Sequence, residues 1–383
     1  MRASRESDSS PFTVLHAVQP GDAGVARVVT DLVRAQLGEG MRVAVACPPG
    51  TPLAAAVRAE GAVVHDWRAG REPGPGLVRE TRDLARLIDA VRPSLVHAHS
   101  AKAGLCARLA LRGRVPTVYQ PHAWSFEAAD GAVGAMARRW ERWAARWTQR
   151  IVCVSDAERR TGEEAGVRAS WSVVRNGVDV TRFAAAAAQT PDPGPGEGPL
   201  VVCVGRLCRQ KGQDVLLAAW PAIVAEVSKA RLVLVGDGPD RARLRTGAPK
   251  AVRFAGAVDD IAPWYRAADL VVLPSRWEGM ALAPLEAMAS GRPVVLTDVA
   301  GARESLPPDH EPHCLVPPED PAALAAAVVR LLGRPELRHS LGRQAHEHVL
   351  SRFDVRRTGA AVADVYRELA GVRCTEHREP IAQ

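Results

Sequence analysis

The chain has 383 residues, enough for two domains of ordinary size or one large one. Hydrophobic residues make up 47% and charged residues 24%, which is globular usage and excludes a disordered or fibrous chain. Lysine and arginine number 50 against 43 acidic residues, a mild excess of +7 spread along the whole chain; a nucleic-acid binder would gather its basic residues on one element beside stacking aromatics, so no nucleic-acid partner is expected.

In chain order, short β-branched runs alternate with helical segments. FTVLHAV is followed by a helix from about Val25 to Leu37, then RVAVAC, a helix within Leu77 to Val91, SLVHAHS and a helix from Ala101. TVYQPH, a helix near Gly134 to Thr148 and IVCVS complete the first half. The second half repeats the plan with LVVCVG, a helix from Gln213, RLVLVG, VRFAG, DLVVLPS, a helix from Pro284, PVVLT and a helix from Pro321 to Leu332. Such strand–helix units feed parallel sheets buried on both faces, so the expected fold class is α/β, with two Rossmann-like doubly wound domains facing a central cleft. Residues 184–199 carry an alanine run and PDPGPGEGP, which continue neither a helix nor a central strand. They read as a hinge between a domain of residues 1–183 and one of 200–355; a surface loop in one long domain is the alternative. Residues 356–383 read as a C-terminal helix crossing back to the first domain, and a tail.

Seven singly scattered cysteines make neither a disulfide framework nor a zinc signature. The polar N-terminus and the lack of any apolar run of membrane-spanning length complete the expectation of a cytoplasmic protein, soluble or lying peripherally at the inner face of the membrane.

Ligands of open α/β sheets bind outside the carboxyl ends of the strands, so function is sought there. In PSRWEGMALAPLEAMASGRPVV, Glu278 and Gly279 follow the strand DLVVLPS, Pro284 suits the first helical position, and Glu286 then falls in the first turn. Two carboxylates and the backbone N–H groups of Gly279, Met280, Ala281 and Leu282 can reach one ligand; the alternative is that Glu286 only complements the helix dipole and Glu278 is solvated. In VCVGRLCRQKGQDVLL, Arg206 and Lys211 lie in one loop after a strand, cations suited to a diphosphate unless they are merely solvated. This is no Walker A loop, because Gly212 follows Lys211. Gly24 follows the first strand, where a residue without a side chain lets a phosphate approach. LVGDGPD reads as a turn near a base or ribose. His122 follows a strand directly and is aimed at the cleft, and RNGVD forms a turn before the hinge. His97 and His99 are read as pointing to opposite faces of one strand, a poor metal pair, and no D-x-D triplet offers a carboxylate site for a metal-bound nucleotide sugar. No metal and no other cofactor are expected.

Glu278-x7-Glu286 in its segment, together with VGRLCRQKG, VGDGP, RNGVD and HAHSAKAG, resembles the family-4 retaining glycosyltransferases of the GT-B fold, from about Val14 to Tyr366. The resemblance implies an N-terminal acceptor domain and a C-terminal domain for a nucleotide-sugar donor, most simply a UDP-sugar. Arg206 and Lys211 would then hold the diphosphate and Glu286 the ribose. Glu278 and the backbone of Gly279 to Leu282 would hold the transferred sugar and β-phosphate. The base would lie near Arg253 and Phe254, with His122 and Gly24 completing the site. Ala23 departs from a family that often has a second glycine there, while Arg27 stands where an arginine is common.

The implied chemistry is transfer of a hexose-type sugar with retention, to a small-molecule or lipid-linked acceptor that the residues do not name. As the anomeric bond breaks, Arg206, Lys211 and helix N–H dipoles would stabilise the leaving charge without a metal. Glu278 and Glu286 would position substrate, since both lie beside cations rather than flanking a glycosidic bond. A GT-B epimerase, a phosphorylase or a non-catalytic nucleotide-sugar binder share the architecture and stand as alternatives. In RRWERWAARW, helical spacing puts Trp140, Trp143 and Trp147 on one stripe with Met136, and Arg138, Arg142 and Arg146 on the next. The two readings are a helix packed on the sheet with solvated arginines, and a docking surface for anionic lipid.

Overall fold

The computed structural model describes residues 12–184, 191, 196–249 and 252–371. Seven strands form the first sheet: β1 (Thr13–Val18), β2 (Arg42–Cys47), β3 (Val63–Asp66), β4 (Leu95–His99), β5 (Thr117–Gln120), β6 (Arg150–Cys153) and β7 (Trp171–Val173), in the order β3-β2-β1-β4-β5-β6-β7. Six form the second: β8 (Leu200–Val204), β9 (Arg231–Val235), β10 (Val252–Gly256), β11 (Leu270–Leu273), β12 (Val294–Thr297) and β13 (Leu315–Val316), in the order β10-β9-β8-β11-β12-β13. Every ladder between these strands is parallel.

The expected two-sheet α/β architecture is therefore the observed one, and its cause is visible in the strands. LVVCV of β8 is buried along its whole length, as a strand covered on both faces by helices must be. Strand order reverses between β1 and β4 in one sheet and between β8 and β11 in the other, which opens a crevice at the carboxyl ends of each pair. The shorter edge strands β3, β7 and β13, too brief for a clear apolar run, were not among the expected elements.

The helix Val355–Leu369 packs on the helix Ala23–Gly38 of the first sheet: Arg367 pairs with Glu39 at 2.7 Å, Glu368 with Arg150 at 3.0 Å, and a Cβ on Gly359 would come within 2.6 Å of Ala35. Of the expected hinge, residues 185–190 and 192–195 lie outside the described residues, as does the tail from residue 372, including Cys374.

Candidate active site

At the β8–β11 crevice Lys211, in the loop after β8, meets Glu278, in the loop after β11, and Arg206 belongs to the same loop as Lys211. Lys211 Nζ lies 2.5 Å from Glu278 Oε1, and the Ser275 hydroxyl donates to the same oxygen at 2.8 Å. Glu278 is buried, so this carboxylate has exchanged water for a cation and a hydroxyl. The Arg206 guanidinium has no hydrogen-bond or ion-pair partner among the described residues, and only its backbone carbonyl is engaged, by Gln213 Nε2 at 2.9 Å. Its loop is braced by the VGDGP turn. Leu207 N donates to Asp237 O at 3.0 Å, and Gly236, at φ 138°, sits where a Cβ would lie 2.1 Å from Gly205 O, so only glycine fits.

The helix carrying Glu286 spans Leu282–Ala289 with Ala281 as its N-cap. It starts two residues before the expected boundary, so Pro284 is its third residue and Glu286 its fifth, past the first turn. A proline is tolerated there because the first N–H groups of a helix have no intrahelical acceptor to lose. Glu286 is 2% exposed. One oxygen pairs with Arg27 from the first domain and the other accepts from the Tyr265 hydroxyl at 2.9 Å. Burial works against the Arg27 cation, but the Glu286 carboxylate outweighs it and raises the arginine pKa; burial and the same carboxylate push the Tyr265 phenol well above its ordinary value.

The first domain closes over the intervening loop. Ser155 Oγ donates to Gly279 O at 2.9 Å and Asn176 Nδ2 to Met280 O at 2.7 Å. A Cβ on Gly279 would lie 2.8 Å from both Glu158 Oε1 and Val154 Cγ2, so the closeness of the two domains requires glycine. Glu158 Oε1 accepts from Ala123 N at 2.6 Å and Oε2 from Val154 N at 2.7 Å, which ties the loop after β5 to the same contact. His122 and Ala123 in that loop adopt φ of 57° and 96°. Burial, partly offset by the two N–H donors, raises the Glu158 pKa to about 7. Glu127, which accepts from Trp124 N at 2.8 Å, is likewise raised to about 7, by burial and then by the Glu278 charge. Glu304 adds a second bridge, accepting from Asp156 N and Ala157 N at 3.0 and 2.8 Å and pairing with Arg175.

Not every candidate joins this cluster. Gly24 is exposed near the start of the Ala23–Gly38 helix, where an added Cβ would meet nothing within 4 Å, while Ala23 holds a left-handed φ of 55° where the family's glycine would be unstrained. Phe254 lies inside β10 and packs against the hydrophobic core. The reading of His97 and His99 as opposite-facing is wrong: residues two apart on a strand share a face, and their ring centroids are 4.0 Å apart. With His16 of β1 they form a buried group whose ligand atoms all lie within 4.8 Å of one another. Tyr265, Ser155, Glu158 and Glu304 escaped the sequence reading. Ser155-x-x-Glu158 is a recognisable helix-start pattern, and Ser155 does cap the helix Asp156–Glu164; Tyr265 and Glu304 had no local signal.

Residues 23–182 match the family model described as Glycosyltransferase Family 4, and residues 198–334 match the one described as Glycosyl transferases group 1. The D-inositol 3-phosphate glycosyltransferase 2 of Catenulispora acidiphila is 30% identical, over 95% of this chain and 95% of its own. The lipopolysaccharide core biosynthesis mannosyltransferase LpcC of Rhizobium leguminosarum bv. viciae is 34% identical, over 60% of this chain and 67% of its own. Among solved structures, the sucrose-phosphate synthase of Thermosynechococcus elongatus superposes with a TM-score of 0.79 at 22% identity, covering 94% of this chain and all of that one. Anabaena HepE in complex with UDP and glucose superposes equally well, with a TM-score of 0.79 at 22% identity over 93% of this chain and all of its own, and at such identities the likeness speaks for the fold. The two matched halves, the full-length relative and the paired Rossmann-like sheets agree: the chain belongs to the family-4 glycosyltransferases of the GT-B fold, and it is a sugar-transferring enzyme.

Proposed function

We propose that the enzyme moves a hexose-type sugar from a UDP-sugar to a hydroxyl acceptor with retention of configuration and without a metal ion. The observation that carries this reading is the loop after β8, where the Arg206 guanidinium has no protein partner among the described residues and Lys211 pairs with Glu278 at the β8–β11 crevice. A diphosphate entering there meets one uncommitted cation and one shared with a carboxylate. Both cations would stabilise the charge that grows on the leaving oxygen as the anomeric bond breaks. The departing phosphate then accepts the proton of the acceptor hydroxyl while that oxygen bonds to the anomeric carbon on the same face. Glu278 and the N–H groups of Gly279 to Leu282 would hold the sugar and β-phosphate, and Glu286 the ribose. His122 and Gly24 would contribute from the first domain. Uridine is favoured as the base because Anabaena HepE is described with UDP and with UDP-glucose.

Several relatives carry the name D-inositol 3-phosphate glycosyltransferase, which makes that compound the first acceptor to try. A lipid-linked acceptor is the other class, and the helix Gly131–Ala144 supports peripheral contact with an anionic membrane. Met136 is 67% and Trp143 41% exposed, Trp143 lies between the rings of Trp140 and Trp147, and Arg139, Arg142 and Arg146 are exposed nearby, with Arg138 half-buried. Among the described residues no helix is long and apolar enough to cross a membrane.

A thermal-shift panel of UDP, GDP, ADP and their sugars, followed by a labelled-donor transfer assay with excess EDTA, tests the reading, since a ligand that binds only the folded state raises its midpoint. UDP should raise the midpoint most, and transfer should survive EDTA and give the donor's own anomeric configuration. Loss of transfer that magnesium or manganese restores, or an inverted product, would overturn it, and donor breakdown or isomerisation without transfer would favour the epimerase or phosphorylase alternatives.

A further inference from the structure

Five polar side chains that donor binding does not use run in an unbroken hydrogen-bonded series beneath the cleft. His16 on β1 and His97 and His99 on β4 come from adjacent strands in register and share one face. Gln36 reaches them from the Ala23–Gly38 helix and Tyr366 from the Val355–Leu369 helix. Gln36 Oε1 lies 2.8 Å from His16 Nε2, His16 Nδ1 lies 2.9 Å from His99 Nε2, and His99 Nδ1 lies 3.1 Å from His122 Nε2. At the far end Gln36 Nε2 donates to the Tyr366 hydroxyl at 3.3 Å, and that hydroxyl lies 2.6 Å from His97 Nδ1.

We propose that this buried chain sets the tautomer of His122, so that its Nδ1 meets substrate as a hydrogen-bond acceptor, and that Gln36, His16 and His99 are positioning residues for the transfer. The inference rests on His122 being a cleft residue, as the proposed function has it.

The logic is one proton per ring. A carboxamide oxygen can only accept, so His16 Nε2 carries the hydrogen and its Nδ1 is bare. His99 must then donate through Nε2, which leaves its Nδ1 bare, and His122 must donate through Nε2 in turn. The remaining nitrogen, His122 Nδ1, has no hydrogen-bond partner among the described residues and holds a lone pair, which a sugar hydroxyl can donate to but cannot accept from. Burial keeps every ring neutral near pH 7: His16 is lowered to about 4, His122 to about 3, and His97 and His99 well below 6.5, the last two helped by the other histidines. Turning the Gln36 amide over would reverse every bond in the series, so the tautomer is decided at Gln36, on the opposite end of the chain from the substrate. The Tyr366 hydroxyl completes the set, accepting from Gln36 Nε2 and donating to His97 Nδ1.

The test reads the tautomer directly and needs no substrate, so its failure is separable from failure of the donor assignment. Two-bond nitrogen–proton correlation spectra of the full chain labelled with 15N-imidazole histidine, with His122 identified by its loss in His122→Gln, should show the Nε2–H form of His16, His99 and His122 between pH 6 and 8. Gln36→Leu and His99→Phe should leave His122 a mixture of both tautomers and raise KM for the sugar substrate about twofold with kcat nearly unchanged, because only about half the free enzyme then presents the competent tautomer. Gln36→Glu keeps an acceptor at that position and should restore the Nε2–H form. An Nδ1–H form of His122 in the wild type overturns the proposal even if the variants do not fold. So does a His122 signal indifferent to Gln36→Leu and His99→Phe. Stoichiometric zinc in the purified protein would overturn it as well, since a metal on His16, His97 and His99 must break the His16–His99 bond.

Discussion

Arg27, in the first domain, and Glu286, 259 positions later in the second, form an ion pair across the cleft, and Tyr265 occupies the other carboxylate oxygen. Glu286 is the residue proposed to take the donor ribose, so on that reading the group that would bind donor also joins the two domains. The pair predicts a coupling. In a double-mutant cycle of Arg27→Met and Glu286→Gln, followed by denaturant unfolding, the interaction energy should be about 1–3 kcal/mol, as for side chains in direct contact. Effects that add to within about 0.5 kcal/mol would mean that the contact carries no weight in the folded protein.

Arg206 should behave differently, because nothing among the described residues competes for its guanidinium. Arg206→Ala is expected to leave the unfolding midpoint nearly unchanged and to lower transfer per donor about 10- to 100-fold, the value of one charge-assisted hydrogen bond of roughly 1.5–3 kcal/mol. Steady-state kinetics in donor concentration decide it: wild-type kcat/KM would remove Arg206 from the site.

Glu127 makes stability depend on pH with a definite sign. Its folded pKa of about 7 is raised from the ordinary 4.5, so the folded state holds the proton more tightly than the unfolded chain. Stability from this group is complete at acid pH, falls as pH rises from about 4.5 toward 7, and is level above that. Glu127→Gln retains an acceptor for Trp124 N and cannot ionise. Relative to wild type it should therefore be close to neutral at pH 4 and stabilising by about 1–3 kcal/mol at pH 8. Thermal unfolding across that range checks it, and a difference that does not grow with pH would show the carboxyl to be normally ionised.

The Gly131–Ala144 helix is anchored from behind by a buried Arg108–Glu141 pair at 2.8 Å, while Trp143 and Met136 face outward. Trp140 and Trp147 are half-buried and Trp143 is exposed, so the stripe is partly packed and partly open. Each basic residue near an anionic surface is worth about 1 kcal/mol, so the wild type should co-sediment with phosphatidylserine vesicles at low salt. Replacing Arg138, Arg142 and Arg146 together by glutamine should weaken that binding by about 100-fold or more, on the same scale of about 1 kcal/mol per residue. No co-sedimentation, or none lost in the triple variant, would leave the helix a purely structural one.

The features legible in the amino-acid order are local in origin. β-branched runs such as LVVCV and RLVLV, bounded by glycine and proline, specify buried parallel strands, and their alternation with helices specifies two doubly wound sheets. Because such sheets collect ligands at strand exits, Arg206, Lys211 and Glu278 were candidates from their positions alone, and the structure pairs Lys211 with Glu278. The helix start at Leu282 was misjudged because a proline early in a helix fits several positions of the first turn. The remaining features depend on contacts between distant segments. The Arg27–Glu286 pair, the Glu158 bonds to the loop after β5, the contacts of Ser155 and Asn176 with Gly279 and Met280, and the return of Tyr366 to Gln36 and His97 all join different elements. Hydrophobic periodicity reports which face of an element is buried, not which distant face it meets, and that choice is made by strand register and by how closely two domains approach.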